Sequence, residues 1–172
     1  MMGAHLFANY FVSRFGKGND DVMVVSPDVG SVARVRTFAH KLEMNMAIVD
    51  KRREKANQSE VMNIIGNVEG KSCILLDDIV DTAGSLVGAA KAISEIGGAK
   101  EIYACASHGV LSGPAIDRIS DSYIKELTLL DTIPYPADKP KCDKIRYLPM
   151  APVFAEAIRR IYEEVSISNL FD

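Results

Sequence analysis

An apolar run, Cys73-Ile74-Leu75-Leu76, passes directly into two adjacent carboxylates, Asp77 and Asp78. It continues as Ile79-Val80-Asp81-Thr82-Ala83-Gly84-Ser85-Leu86, a short stretch rich in small and hydroxyl residues. Four apolar residues without polar alternation read as a strand covered on both faces. Ser85 to Ile96 then carries the clearest helical spacing in the chain, and Gly97-Gly98 stops it. A doubly covered strand followed at once by a helix belongs to an α/β fold with a mostly parallel sheet flanked by helices.

The rest of the chain repeats that alternation. Strands are expected at Val22 to Val25, Met46 to Val49, Val61 to Ile65, Ile102 to Ala106, Glu126 to Leu130 and Tyr147-Leu148. Helices are expected at His5 to Phe15, Val32 to Leu42, Pro114 to Ile119 and Pro152 to Tyr162, the last with proline near its start. Lys51 to Gln58 reads as a polar, charged loop, and Asp131 to Lys144 as a Pro/Lys/Asp-rich one. A chain of 172 residues is enough for one domain with a core that needs no disulfide or metal staple. In such sheets ligands bind at the carboxyl ends of the strands, so the residues that follow each strand matter most.

Composition narrows the function classes. The net charge is −3 with no basic tract, which argues against a nucleic-acid partner. No apolar run is long enough to span a membrane, and residues 1–14 lack the basic start and long apolar core of a signal peptide. Cys73, Cys105 and Cys142 are odd in number and outside any CxxC, as expected of reduced thiols in a cytoplasm. Gly66 to Ser72 imitates a phosphate-binding GxxxxGKS loop. Its glycines are one residue too close, and it leads into a strand, so it reads as a turn.

The chemistry concentrates at Asp77 to Ser85. Backbone N–H groups at a helix start, with the Thr82 and Ser85 hydroxyls, can enclose a phosphate. Asp77 and Asp78 stand one step back, where carboxylates can accept from two neighbouring hydroxyls. A phosphate site beside a diol site describes ribose 5-phosphate. The plainer reading of the same residues is an acidic turn with a Ser/Thr helix cap.

Leu75 to Ser85 resembles the phosphoribosyl-binding loop of type I phosphoribosyltransferase folds. Further segments, in the same order, narrow the resemblance to ribose-phosphate diphosphokinases, or PRPP synthetases. They are Val25-Ser26-Pro27-Asp28-Val29-Gly30, Asp50-Lys51-Arg52-Arg53, Ser107-His108-Gly109-Val110-Leu111-Ser112-Gly113, Asp131-Thr132-Ile133-Pro134, Ala155-Glu156-Ala157-Ile158-Arg159-Arg160 and the ending Ser166-Ile167-Ser168-Asn169-Leu170-Phe171. The resemblance runs from about Val22 to the C-terminus and corresponds to the C-terminal of two similar domains, so residues 1–172 are expected to form that single domain.

That resemblance implies transfer of the β,γ-diphosphoryl group of ATP to the anomeric hydroxyl of ribose 5-phosphate, with Mg²⁺, giving PRPP and AMP. Asp77 and Asp78 would hold the ribose 2- and 3-hydroxyls, and Asp81, Thr82, Ala83, Gly84 and Ser85 the 5-phosphate. Asp28 would help bind Mg²⁺, with Gly30 near the diphosphate. Lys51 and Arg53 would close over the transferring group. Ser166 and Ser168 resemble positions of an allosteric phosphate site between subunits, and the family assembles as hexamers, so a homo-oligomer is expected.

Two departures stand out. The family has two adjacent glycines after the first-strand aspartate, whereas Ser31 holds the second position here; a positive φ there would be strained. The chain also matches only half of a full synthetase, so the expectation is ribose 5-phosphate or PRPP binding with little or no ATP turnover alone. A stand-alone phosphoribosyltransferase that consumes PRPP, and a non-enzymatic subunit associated with PRPP synthetase, are the competing readings. His108 reads as a structural histidine.

Overall fold

The structure is a computed structural model that describes residues 2–52 and 61–170. Its centre is one seven-stranded sheet, formed by β1 (Val22–Ser26), β2 (Asn45–Arg52), β3 (Val61–Ile65), β4 (Ser72–Val80), β5 (Glu101–Gly109), β6 (Ile124–Leu130) and β7 (Ile145–Leu148). The spatial order is β3-β2-β1-β4-β5-β6-β7. Every neighbouring pair is parallel except β2 and β3, which form an antiparallel hairpin with Lys51 opposite Met62.

The helices are α1 (Met2–Phe15), α2 (Val32–Leu42), α3 (Gly84–Glu95), α4 (Ala115–Ser120) and α5 (Ala151–Tyr162), with a 3₁₀ turn at Ser168–Leu170. Two buried layers follow from the period-two alternation of strand side chains. Val22, Val24, Ile74, Leu76, Tyr103 and Cys105 pack with Phe7 and Phe11 of α1 and Phe38 and Leu42 of α2. The intervening Met23, Val25, Cys73, Leu75, Ile102 and Ala104 pack with Leu86 and Ile93 of α3 and Ile116 and Ile119 of α4. Every residue of β1 is buried, which explains its unbroken apolar run.

Several strands outrun the sequence expectation, and the difference bears on function. β4 was expected to end at Leu76 but continues to Val80, held by pairing of Asp77 with Ala106, Ile79 with His108 and Val80 with Gly109. Asp77 and Asp78 are therefore strand residues rather than turn residues. β2 likewise extends through Lys51 and Arg52, which the sequence assigns to a loop, because β3 pairs with them across the hairpin. Arg53 and residues 54–60 lie outside the described residues. Residues 66–71 do form a turn: Gly66 and Gly70 have positive φ, and a Cβ on Gly66 would sit 2.8 Å from that of Ala47.

The strand order locates a candidate crevice. The chain leaves β1 toward β2 on one side and leaves β4 toward β5 on the other, so the order reverses between β1 and β4. α2 covers one face after β1, and α3 covers the opposite face after β4. A cleft opens outside the carboxyl ends of two strands at such a switch point.

Candidate functional site

Asp28 and the Asp77–Leu86 segment meet at that switch point. Asp28, Asp77 and the turn Ile79 to Leu86 line a cavity of about 210 Å³. Larger cavities of about 430 and 480 Å³ lie at the β3–α3 edge and between α1 and α2, without this turn. Volume is a poor guide here, because a phosphate needs aligned donors rather than space.

The turn has the backbone shape of an anion cradle. Ala83 precedes α3 with φ 61° and ψ 4°, a left-handed conformation that no glycine or asparagine signals in advance. Such a residue after a right-handed turn points successive N–H groups into one concavity. The strain of a left-handed alanine, about 1–2 kcal/mol, persists only where the surroundings impose it. Those surroundings are visible. Arg118 Nη1 donates to the Thr82 carbonyl at 3.0 Å. Ser112 donates through its hydroxyl to the Asp81 carboxylate and through its N–H to the Asp81 carbonyl at 3.0 Å. Val110 and Leu111 donate their N–H groups to the Val80 carbonyl at 2.9 and 3.1 Å. The Thr82 and Ser85 side chains are exposed, and among the described residues neither hydroxyl has a protein partner. Asp81 lines the same cavity, and its carboxylate also braces the loop through Ser112.

The first-strand turn comes from the other side. The Ser26 hydroxyl donates to the Asp28 carbonyl at 2.7 Å, and Asp28 Oδ1 accepts the Ser31 N–H at 2.7 Å. Asp28 therefore ties down the start of α2 with one oxygen while lining the cavity. A Cβ on Gly30 would stand 3.3 Å from that carboxylate oxygen, so glycine leaves it room. Ser31 has φ −87°, and the strain expected of serine in this glycine position is absent. Asp28 and Asp77 both line the cavity. Among the described residues no three His, Cys, Asp or Glu side chains gather to enclose a metal. Two carboxylates beside an anion cradle suit Mg²⁺, which keeps water and phosphate oxygens in its shell.

The carboxylates of Asp77 and Asp78 are not equivalent. Asp77 accepts the Asp78 N–H on Oδ1 at 2.8 Å and is largely buried. Burial, reinforced by the neighbouring Asp78 carboxylate, pushes its pKa up to about 6. Asp78 is half-exposed, and its ion pair with Arg34 holds it below the usual carboxylate range. Arg34, on α2, lies 3.0 Å from Asp78 Oδ2 through Nη2 and 3.9 Å from Asp77 Oδ1 through Nη1. The sequence gives no sign of this arginine, because 43 residues separate it from Asp77 and only sheet order brings them together.

His108 lies within β5 and belongs to a local network. The Thr132 hydroxyl donates to the Ser107 carbonyl at 2.8 Å, so His108 Nδ1, 2.9 Å from the same hydroxyl, is the donor to it. That bond orients the imidazole, which is otherwise exposed. Ser166 and Ser168 lie beyond α5, with their hydroxyl oxygens 3.2 Å apart. The Ser166 carbonyl accepts from Arg160.

With the geometry in view, comparison with known proteins is specific. Residues 53–172 match the model of the phosphoribosyl synthetase-associated domain. The chain belongs to the phosphoribosyl synthetase family. The ribose-phosphate pyrophosphokinase of Caldanaerobacter subterraneus subsp. tengcongensis is 58% identical over 171 residues, covering 99% of this chain and 53% of that protein. That of Clostridium acetobutylicum is 55% identical over 169 residues, covering 98% and 52%. The chain thus spans about half the length of the curated relatives it matches. The crystal structure of phosphoribosylpyrophosphate synthetase from Mycobacterium smegmatis superposes with a TM-score of 0.81 at 34% identity, over 94% of this chain and 51% of that one. An adenine phosphoribosyl transferase from Trypanosoma brucei, at 12% identity and a TM-score of 0.52 over 86% of this chain and 64% of that one, shares the fold alone.

Proposed function

We propose that the chain binds ribose 5-phosphate and PRPP at the β4–α3 turn and serves as the catalytic domain of an enzyme transferring diphosphate from ATP to ribose 5-phosphate. One observation carries this reading: two unpartnered hydroxyls and the start of α3 face one cavity, with a carboxylate pair one strand step behind. The turn of Thr82, Ala83, Gly84 and Ser85 takes the 5-phosphate. Asp77 and Asp78 accept the ribose 2- and 3-hydroxyls, and Asp81 completes the phosphate loop while its carboxylate holds the turn's shape through Ser112.

Diphosphoryl transfer builds negative charge on the moving group and its leaving oxygen, and fixed cations stabilise it. Lys51, exposed near the end of β2, and Arg53, just beyond the described residues, supply that charge and close over the group. Asp28 would help hold Mg²⁺, which when bound would neutralise phosphate charge. Gly30 leaves the backbone accessible to the diphosphate. Ser166 and Ser168 contribute to a regulatory phosphate site. The protein is cytoplasmic, with Cys73, Cys105 and Cys142 as free thiols, and no described helix is long and apolar enough to cross a membrane. It assembles as a homo-oligomer. The apolar side chains of α5 support this, since Phe154, Ile158, Ile161 and Tyr162 are 50–89% exposed in one chain.

The test is equilibrium binding of ribose 5-phosphate, competition by PRPP, and AMP release from Mg-ATP by the chain alone. Saturable binding, displaced by PRPP, with no AMP formed is the expected result. Absence of ribose 5-phosphate binding would overturn the reading. Ribose-dependent AMP release would show that the chain carries an ATP site of its own.

A further inference from the structure

The position of Arg34 goes beyond that reading, on which the following inference rests. Period-two alternation turns the side chains of Asp77 and Asp78 toward opposite faces of β4. Left alone, two adjacent carboxylates repel and swing apart. Arg34 is the residue that touches both, and among the described residues no other cation pairs with either. It sits in the first turn of α2, three residues after Ser31, whose N–H is fixed by Asp28. One turn therefore delivers both Asp28 to the cavity and Arg34 to the acid pair.

The bridge is only half made. Arg34 Nη2 is at hydrogen-bond distance from Asp78, whereas Nη1 is 3.9 Å from Asp77 Oδ1. Nη1 is buried and has no hydrogen-bond partner. A buried guanidinium donor without an acceptor is destabilising. A planar fork can serve two carboxylates at once, which a lysine ammonium cannot match in geometry.

We infer that Arg34 is a positioning residue that clamps Asp77 and Asp78 into a fixed two-acceptor unit, with Nη1 closing onto Asp77 when the sugar docks, and that it sets the preference for ribose over 2-deoxyribose. A clamped pair demands two hydroxyl donors. A sugar lacking the 2-hydroxyl leaves one desolvated carboxylate oxygen unpaired, the situation in which polar sites discriminate most strongly. Without the clamp the carboxylates relax apart, and the missing hydroxyl is penalised less.

The experiment is calorimetric titration of the wild-type chain, Arg34→Gln and Arg34→Lys with ribose 5-phosphate, 2-deoxyribose 5-phosphate and inorganic phosphate. Thermal melts of each variant accompany the titrations. Arg34→Gln is expected to weaken ribose 5-phosphate binding by about 10–100-fold, the effect of one or two charge-assisted hydrogen bonds. Inorganic phosphate should bind within about 2-fold of wild type, since the turn that takes it is untouched. The ribose-to-deoxyribose ratio should collapse in Arg34→Gln and recover only partly in Arg34→Lys. Equal loss of phosphate and sugar phosphate binding would overturn the inference in favour of a purely architectural role. So would an unchanged ratio in Arg34→Gln. If Arg34→Gln does not fold, Arg34→Lys decides: a full wild-type ratio there overturns the need for a fork, and a reduced one supports it. Failure of the wild-type chain to bind ribose 5-phosphate would remove the functional reading and this inference together. Normal wild-type binding with an indifferent Arg34→Gln would remove the inference alone.

Discussion

Asp77→Asn should make the protein more stable while weakening its site. Burial holds the Asp77 carboxyl at a pKa of about 6, against 3.8 for an unperturbed group. A group whose folded pKa is raised favours folding in its neutral form. No penalty is present below about pH 3.8, where both states are protonated. The penalty grows as the unfolded chain ionises first, and it is complete above about pH 6. Two pKa units correspond to about 3 kcal/mol. Residual solvent contact and the coupling to Asp78 reduce the usable part to about 1–2 kcal/mol. Asparagine keeps an oxygen to accept the Asp78 N–H and removes the desolvated charge. The expected outcome at pH 7.5 is a rise in Tm of about 3–6 °C for a chain of this size. Near pH 5 about half of that gain should be gone. The assay is urea and thermal unfolding followed by circular dichroism between pH 4.5 and 8, without divalent cations or phosphate. A variant less stable than wild type at pH 7.5, or a gain that does not change with pH, would mean that the buried Asp77 charge does not oppose folding.

Other substitutions probe separate parts of the account. Ser85→Ala should weaken inorganic phosphate binding by about 10–100-fold, the effect of one lost hydrogen bond to an ionised group, with unfolding unchanged; calorimetry checks both. Ala83→Gly should preserve phosphate binding, whereas Ala83→Val forces a β-branched residue into a left-handed φ and should destabilise by about 2 kcal/mol or more. Ser112→Ala removes the brace on Asp81, and the expected signature is weaker phosphate affinity with faster amide exchange at Thr82 to Ser85. Phe11→Ala, in the fully buried layer between α1 and α2, should destabilise by about 3–5 kcal/mol and leave the binding constants of the folded fraction intact.

The legible part of the fold was the part written in local pattern. Apolar runs such as Met23 to Val25 and Ile74 to Leu76 mark strands covered on both faces, and Gly97-Gly98 marks the end of α3. The strand ends were less legible where the functional residues sit. Asp77 and Asp78 are poor strand formers, so their local chemistry suggests a turn. Parallel pairing with Ala106 to Gly109 overrides that preference. Lys51 is drawn into β2 in the same way by Met62. Ala83 gives no compositional hint of its left-handed backbone, which Arg118 and Ser112 impose from outside the segment. Arg34 depends on the β1–β4 adjacency, a fact of sheet order that no local window contains. The carboxylates and hydroxyls that line the candidate cleft could thus be named from sequence, whereas Arg34, Arg118 and Ser112, which contact them from other elements, could not.

On the proposed function, ribose 5-phosphate occupies the β4–α3 turn. The most direct measurement is a titration of isotopically labelled protein with ribose 5-phosphate, followed by backbone amide NMR shifts. Saturable shifts are expected at residues 81–86, with smaller ones at Asp77, Asp78 and Ser31. PRPP is expected to shift the same amides. Shifts centred on the α1–α2 groove or the β3–α3 edge, or no shifts at millimolar ligand, would contradict that placement.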